Sequence, residues 1–307
     1  MALHSQLMAM VEKASRHKRM HEAPLDLVRS AAPRILDSGV PREGVASIEN
    51  LVMDNAGHTV PLRVYRPDDH SGLPLILFFH GGGFTLCSIE THDGMCRQIC
   101  NRSQAVVVSV DYALAPERPY PAAIGDCRAA TLWAVRHAGE LGANASRLGL
   151  CGDSAGGNLG IAVARSLEGA AGLTAKALAL LYPVTDHYSA GHSSYFEHGS
   201  GCGLTGDEMR WLWDNYLPDA TLAADLDVSP LRADDLARLP ATYIATAEYD
   251  VLRDEGIAFA ARLSRAGVPV VHRHYADMNH GFLNWVGVVG RAAEAMDDLG
   301  GWLRANL

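Results

Sequence analysis

Short runs of apolar residues recur along the chain and are separated by stretches long enough to form a helix. Aliphatic and β-branched side chains fill most of these runs, which begin after position 74. A run that is apolar on both faces is typical of a parallel strand buried between two layers of helices. We predict strands at 75–79, 105–110, 147–151, 177–182, 241–247 and 269–275.

The segments between these runs have the spacing of amphipathic or buried helices. We predict helices at 90–103, 121–137, 158–167, 253–266 and 288–305. Strands that alternate with helices build a mostly parallel sheet with helices on both faces. The predicted fold class is therefore α/β.

Two further features precede this alternation. Residues 1–45 show helical periodicity interrupted by three prolines, which predicts two short helices. Segments 47–54 and 59–66 have strand character, and Asn55 and Gly57 between them favour a hairpin turn. The hairpin and the later strands together predict a sheet of about eight strands.

The strand–helix rhythm breaks between 185 and 229. This stretch is rich in glycine and then places Thr205 and Glu208 at capping-box spacing, ahead of a tryptophan-rich helix that runs to Tyr216. An insertion of this length between strands usually has a function. We therefore expect it to contribute to a site.

Composition narrows the functional classes. The 307 residues are 48% hydrophobic and 20% charged, as in an ordinary globular protein, and the formal net charge is -9. A protein with a net negative charge binds nucleic acid poorly, because phosphate binding needs a basic surface. No stretch approaches the run of about 20 apolar residues that spans a bilayer, and the first residues lack a signal-peptide pattern. We expect no membrane insertion and a cytoplasmic location.

Cysteine and histidine patterns give no sign of a metal site. The 6 cysteines contain no Cys-x-x-Cys pair, which favours free thiols in a reducing compartment. The 14 histidines show no convincing helical metal-ligand pair. We expect neither a metal nor an organic cofactor.

Ser154 is the candidate nucleophile. It lies between a predicted strand and helix in a G-x-S-x-G pattern, where Gly152 and Gly156 leave room for the two elements to approach. Such a turn presents the hydroxyl at a helix N-terminus, where N–H groups can stabilise negative charge. The glycines at 81–83, after the first buried strand, could supply further N–H donors beside that of Ala155.

The loops after two later strands carry an acid and a base. Glu248, Asp250, Asp254 and Glu255 compete for the acid role, and Asp250 lies nearest the strand end. His280 follows the last strand and could take the serine proton. The order Ser154, Asp250, His280 is the order described for α/β-hydrolases.

Five motifs in this order resemble the bacterial hormone-sensitive-lipase family of esterases, also called family IV. They are HGGGF at 80–84, DYALAPE at 111–117, GDSAGGN at 152–158, DVLRDEG at 250–256 and HGF at 280–282. The resemblance implies an α/β-hydrolase fold with Ser154 as nucleophile, Asp250 as acid and His280 as base. It also implies an oxyanion hole formed by the N–H groups of Gly82, Gly83 and Ala155, and the Gly81 N–H is a further candidate.

The family places a helical cap over the site. By this resemblance, residues 1–45 and 186–222 form the cap, and residues 46–185 and 223–307 form the catalytic domain. Leu204, Trp211 and Trp213 are candidates for lining the substrate pocket, although packing within the cap helix explains them equally well. Homodimerisation, through the last strand, is a further expectation from the family.

We expect a serine carboxylesterase that hydrolyses short- to medium-chain acyl esters through an acyl-enzyme. Acyl transfer or amide hydrolysis by the same three residues is the alternative enzymatic interpretation. A non-catalytic ligand receptor on this fold is disfavoured, because receptors that resemble the family have lost the histidine that His280 supplies here.

Overall fold

The computed structural model describes residues 2–14, 18–167 and 173–307. In this part of the chain the α-helices are α1 (Ser5–Ala14), α2 (Leu25–Ile35), α3 (Ile89–Ser103), α4 (Ala122–Arg136), α5 (Ala155–Leu167), α6 (Ser194–Glu197), α7 (Gly206–Tyr216), α8 (Arg253–Arg265) and α9 (Gly290–Asn306). The strands are β1 (Ser47–Asn55), β2 (His58–Arg66), β3 (Leu73–Phe79), β4 (Val106–Val110), β5 (Ala143–Asp153), β6 (Ala177–Leu181), β7 (Ala241–Tyr249) and β8 (Val270–Asn279).

Within the described residues, 8 strands form one sheet in the order β1-β2-β4-β3-β5-β6-β7-β8. The hairpin strands β1 and β2 pair antiparallel, and β2 pairs antiparallel with β4. All remaining neighbours pair parallel. The α/β class and the mostly parallel eight-stranded sheet are thus confirmed.

The central strands are buried on both faces, as their continuous apolar sequence predicts. In β3, Leu75, Leu77 and Phe79 belong to one hydrophobic core, while Ile76 and Phe78 belong to a second core on the opposite face. Helices α4, α5 and α8 supply side chains to the first core, and α3 and α9 supply them to the second. Burial on both faces fixes the positions of the strand ends.

Strands β5 and β8 extend furthest beyond their predicted ranges. Strand β5 begins at Ala143, which pairs with Leu73, although the residues before 147 are mostly polar or small. Strand β8 continues to Asn279, which pairs with Tyr249, beyond the predicted end at 275. Both extensions depend on backbone hydrogen bonds to a neighbouring strand, which side-chain periodicity does not report.

The predicted cap ranges contain α1 and α2 in the N-terminal part and α6 and α7 in the insertion. The two parts touch, since α7 packs against the short 3₁₀ turn Met20–Glu22. The capping box at the start of α7 is confirmed, because Thr205 Oγ1 accepts the Glu208 N–H and Glu208 Oε2 accepts the Thr205 N–H. The boundaries between cap and catalytic domain stay predictions. Within the predicted domain ranges, positions 1, 15–17 and 168–172 lie outside the described residues.

The cysteines are all free thiols. Among helices of the described chain, none combines the length and apolar character needed to cross a bilayer. Strand β8 forms one edge of the sheet. Dimerisation through that strand stays a prediction.

Candidate active site

The carboxyl ends of β3, β5, β7 and β8 meet on one edge of the sheet. Ser154 follows β5, Asp250 follows β7, and His280 follows β8, while Gly82 and Gly83 lie in the loop after β3. In an open parallel sheet this edge is where loops converge to form a site. The predicted residues therefore come together although they are far apart in the chain.

Ser154 occupies a tight turn between β5 and α5. Its φ of 53° is left-handed, which is an uncommon conformation for a residue with a side chain. A Cβ on Gly152 would collide with the carbonyl oxygen of Gly156, and a Cβ on Gly156 would collide with that of Phe79. The structure thus confirms why both positions need glycine. A backbone hydrogen bond from the Ser154 N–H to the Leu181 carbonyl (2.8 Å) fixes the turn against β6.

Ser154, His280 and Asp250 form a hydrogen-bonded chain. His280 Nε2 lies 3.0 Å from Ser154 Oγ, and His280 Nδ1 lies 2.8 Å from Asp250 Oδ2. The second Asp250 oxygen accepts the Leu252 N–H at 2.9 Å. An ionised carboxylate can only accept hydrogen bonds, so we place the imidazole proton on Nδ1. The lone pair of Nε2 then faces the serine hydroxyl.

The other three candidate carboxylates, Glu248 near the end of β7 and Asp254 and Glu255 in α8, have different partners. Glu248 pairs with Arg253 and His274, and Asp254 accepts hydrogen bonds from Arg253 and the Ser194 N–H. Glu255 is fully buried and accepts the N–H groups of Thr185 and Asp186. Among these candidates, Asp250 alone contacts His280 in the described structure.

The N–H groups of Gly82, Gly83 and Ala155 donate no hydrogen bond to any residue in the described chain. Ala155 is the first residue of α5, so its N–H lies at the positive end of a helix. Gly81 differs, because its N–H donates to Asp153 Oδ1 at 2.7 Å. Within the described chain these three donors are therefore unengaged, whereas the Gly81 N–H already has a partner.

The three predicted pocket residues lie around α7. The Trp213 side chain is buried, with its ring 5.5 Å from that of Phe84 and 4.9 Å from that of His187. Leu204 and Trp211 are partly buried and pack against the same hydrophobic core. Phe84 follows the glycine loop, so Trp213 stands next to the site, and a role for these residues in substrate binding stays a prediction.

Comparison with known proteins decides the family. A family model for the α/β-hydrolase fold matches residues 76–284. Carboxylic ester hydrolase LipN of Mycobacterium tuberculosis is 40% identical over 266 residues, which cover 85% of this chain and 70% of that protein. The chain belongs to the hormone-sensitive-lipase-like, family IV branch of the α/β-hydrolases.

Other relatives of this family IV chain are also named as esterases. Esterase LipI of Mycobacterium tuberculosis is 38% identical over 283 residues, covering 88% of this chain and 86% of that protein. A hyperthermophilic esterase from the archaeon Pyrobaculum calidifontis superposes with a TM-score of 0.95 at 34% identity, covering 99% of each chain. The family IV chain is a carboxylic ester hydrolase.

A buried polar network surrounds the nucleophile of this family IV esterase, and no sequence pattern indicated its role. Asp153 accepts the Gly81 N–H and lies 3.3 Å from His92 Nε2. Burial alone would raise the pKa of Asp153, but His92 and the Gly81 N–H lower it below its ordinary value. Asp153 therefore stays ionised and ties the glycine loop to the serine turn.

His80 belongs to the same network. Complete burial, with a smaller contribution from His92, lowers its pKa to about 3, so the imidazole is neutral at physiological pH. Its Nδ1 lies 2.7 Å from the Gly81 carbonyl oxygen, and its ring stacks on Tyr112 at 4.3 Å. Local sequence does not show these contacts, because most of the participating residues are separated along the chain.

The described residues contain no cluster of His, Cys, Asp and Glu with the geometry to hold a metal ion.

Proposed function

We propose that this esterase hydrolyses short- to medium-chain acyl esters through an acyl-enzyme formed on Ser154. The observation that carries the proposal is the chain of hydrogen bonds from Asp250 through His280 to the Ser154 hydroxyl. A serine hydroxyl is a weak nucleophile by itself, and an adjacent imidazole that accepts its proton activates it.

In the first half of the reaction, Ser154 Oγ attacks the ester carbonyl carbon while His280 Nε2 takes the hydroxyl proton. Asp250 holds the imidazole in the required tautomer and stabilises its positive form. The negative carbonyl oxygen binds to the N–H groups of Gly82, Gly83 and Ala155. The tetrahedral intermediate then expels the alcohol, which receives its proton from His280.

In the second half, water attacks the acyl-enzyme and gives a proton to His280. The new tetrahedral intermediate releases the carboxylic acid, and the proton returns to Ser154 Oγ. Each oxyanion donor in such a site typically contributes about 100- to 1000-fold in rate. Three donors that have no acceptor within the described chain support this assignment.

Ser154→Ala tests the proposal. We expect its turnover of p-nitrophenyl butyrate to fall at least about 1000-fold, because the attacking oxygen is lost. The matched control is Ser166→Ala, which should keep its activity. Ser166 is a partly buried serine later in α5 whose hydroxyl donates to the Val163 carbonyl. Wild-type turnover in Ser154→Ala would contradict the proposal.

Two measurements test the finer parts of the proposal. Mass spectrometry of the quenched enzyme should show one acyl group on the peptide that contains Ser154. A series from acetate through butyrate and octanoate to palmitate should show the highest kcat/KM for the short and medium acyl groups. Preferential transfer to an added alcohol, or faster cleavage of the matched amide, would favour acyl transfer or amide hydrolysis instead.

A further inference from the structure

The loop that follows β3 has an unusual backbone. Gly82, Gly83 and Phe84 have φ values of 112°, 60° and 60°, so three successive residues are left-handed. Glycine adopts this region readily, but Phe84 does so only under strain. A strained backbone persists only where its surroundings hold it in place.

Hydrogen bonds from outside the loop hold its carbonyl groups. The Ala115 N–H donates to the Phe84 carbonyl at 2.9 Å. Arg29 Nε, from the N-terminal helix α2, donates to the carbonyl of the next residue, Thr85, at 2.9 Å. The N–H of Thr85 in turn donates to the Gly82 carbonyl at 3.2 Å, so the Arg29 contact is one hydrogen bond away from the glycine pair.

The same guanidinium joins this loop to a second one. Arg29 Nη2 donates to the Ala115 carbonyl at 2.7 Å. Two further bonds, of 2.7 and 2.9 Å, run from Nη1 and Nη2 to the two carboxylate oxygens of Glu117. Arg29 thus uses all three of its nitrogens at once, a geometry that the single nitrogen of a lysine cannot reproduce.

We propose that Arg29 is a positioning residue for the oxyanion hole: it fixes the Thr85 and Ala115 carbonyls and so holds the N–H groups of Gly82 and Gly83 in place. This inference rests on the oxyanion role given to those groups under the proposed function. Through Arg29, helix α2 then contributes to transition-state stabilisation, in addition to its predicted role in the cap. From sequence alone, α2 was expected only to form part of the cap.

Arg29→Met tests the inference, since it keeps an apolar stem and removes every donor. We expect kcat for p-nitrophenyl butyrate to fall about 10- to 100-fold with KM within about twofold of wild type, because displaced donors weaken transition-state binding. Arg34→Met, at an exposed position of the same helix, is the control and should retain wild-type kcat. A rise in KM alone would overturn the inference.

A transition-state analogue separates positioning from general destabilisation. An alkyl trifluoromethyl ketone adds to Ser154, and the resulting oxyanion occupies the proposed hole. Its inhibition constant should rise in Arg29→Met by the same factor by which kcat/KM falls. Glu117→Gln keeps the guanidinium and both carbonyl acceptors, so its kcat should fall less than about threefold. An equal loss in the two variants would overturn the inference.

Two further comparisons keep the result decisive. If Arg29→Met does not fold, Arg29→Lys replaces it, with a smaller loss of kcat that is again matched by the inhibition constant. If the ketone inhibits neither the wild-type enzyme nor Ser154→Ala, the proposed function fails. If it inhibits the wild type and the Arg29 variants equally well, only the positioning role of Arg29 fails.

Discussion

At Gly156 a missing side chain lets helix α5 lie directly against the end of β3. The carbonyl oxygen of Phe79 occupies the place where a Cβ would stand, and that of His80 lies 2.7 Å from it. Both obstacles are backbone atoms, which cannot rotate away as a flexible side chain can. The nucleophile turn therefore depends on the absence of a single methyl group.

We expect Gly156→Ala to lower the free energy of unfolding by about 1–3 kcal/mol, because one of the two backbone segments must shift. Urea denaturation followed by fluorescence measures this change. Gly125→Ala is the matched control, since Gly125 is an exposed glycine of α4 and nothing lies within 4 Å of the place that the new methyl group would take. There we expect a gain of about 0.5–1 kcal/mol from helix propensity. Equal stability of the two variants would contradict this explanation.

At the scale of elements, α7 is the helix that packs on the glycine loop. The Leu212 side chain fills the space in front of Gly83, and the Tyr216 ring stacks on Phe84 at 3.9 Å and 7°. The insertion thus supports the loop from one side, while Arg29 of α2 bonds it from another. Both predicted parts of the cap therefore contact the loop that carries Gly82 and Gly83, α7 at Gly83 and Phe84 and α2 at Thr85.

The start of α7 provides a direct test of this element. Thr205→Ala removes the hydroxyl that accepts the Glu208 N–H at 3.2 Å, so we expect the free energy of unfolding to fall by about 1 kcal/mol. Ser200→Ala, at an exposed position of the same insertion, should change it by less than about 0.5 kcal/mol. Urea midpoints of the two variants give the comparison, and indistinguishable midpoints would show that the capping box adds no stability.

At the scale of the whole molecule, ionisable groups make stability depend on pH in two opposite directions. Burial alone would raise the pKa of Asp93, Asp153 and Asp186, but neighbouring arginine and histidine side chains and hydrogen-bond donors lower it. A lowered pKa gives stability that is present above the ordinary carboxyl pKa and disappears as pH falls through the folded value. These groups should promote unfolding below about pH 4.

Glu255 has the opposite effect. Complete burial raises its pKa well above the ordinary value, although the N–H groups of Thr185 and Asp186 lower it in part. As pH rises above about 4.3, the unfolded chain loses this proton before the folded protein does, so stability falls. Glutamine carries no such proton, and its Oε1 can accept the same two N–H groups.

We therefore expect Glu255→Gln to gain stability relative to wild type by about 1.4 kcal/mol per pH unit, from about pH 5 up to the folded pKa of Glu255. Urea denaturation at several pH values measures the difference. Glu90→Gln is the contrasting control, because a hydrogen bond from Arg63 lowers the pKa of Glu90. Its deficit relative to wild type should be present at neutral pH and shrink in acid. A pH-independent difference for Glu255→Gln would refute the argument.

The sequence by itself determined the order of the elements, the mostly parallel sheet and the family. These follow from local patterns: apolar runs mark the buried strands, glycine spacing marks the turns, and Ser154, Asp250 and His280 each follow a different strand. The physical reason is that burial on two faces and left-handed backbone each restrict the residue types at their own position.

Only the tertiary structure decided which groups meet. It places β4 between β2 and β3, brings Asp250 rather than Glu248, Asp254 or Glu255 to His280, and engages the Gly81 N–H with Asp153. It also carries Arg29 to the carbonyl of Thr85, 56 residues along the chain. Each of these contacts joins distant segments, and its geometry is set by the packing of the whole sheet, which leaves no local pattern in the sequence.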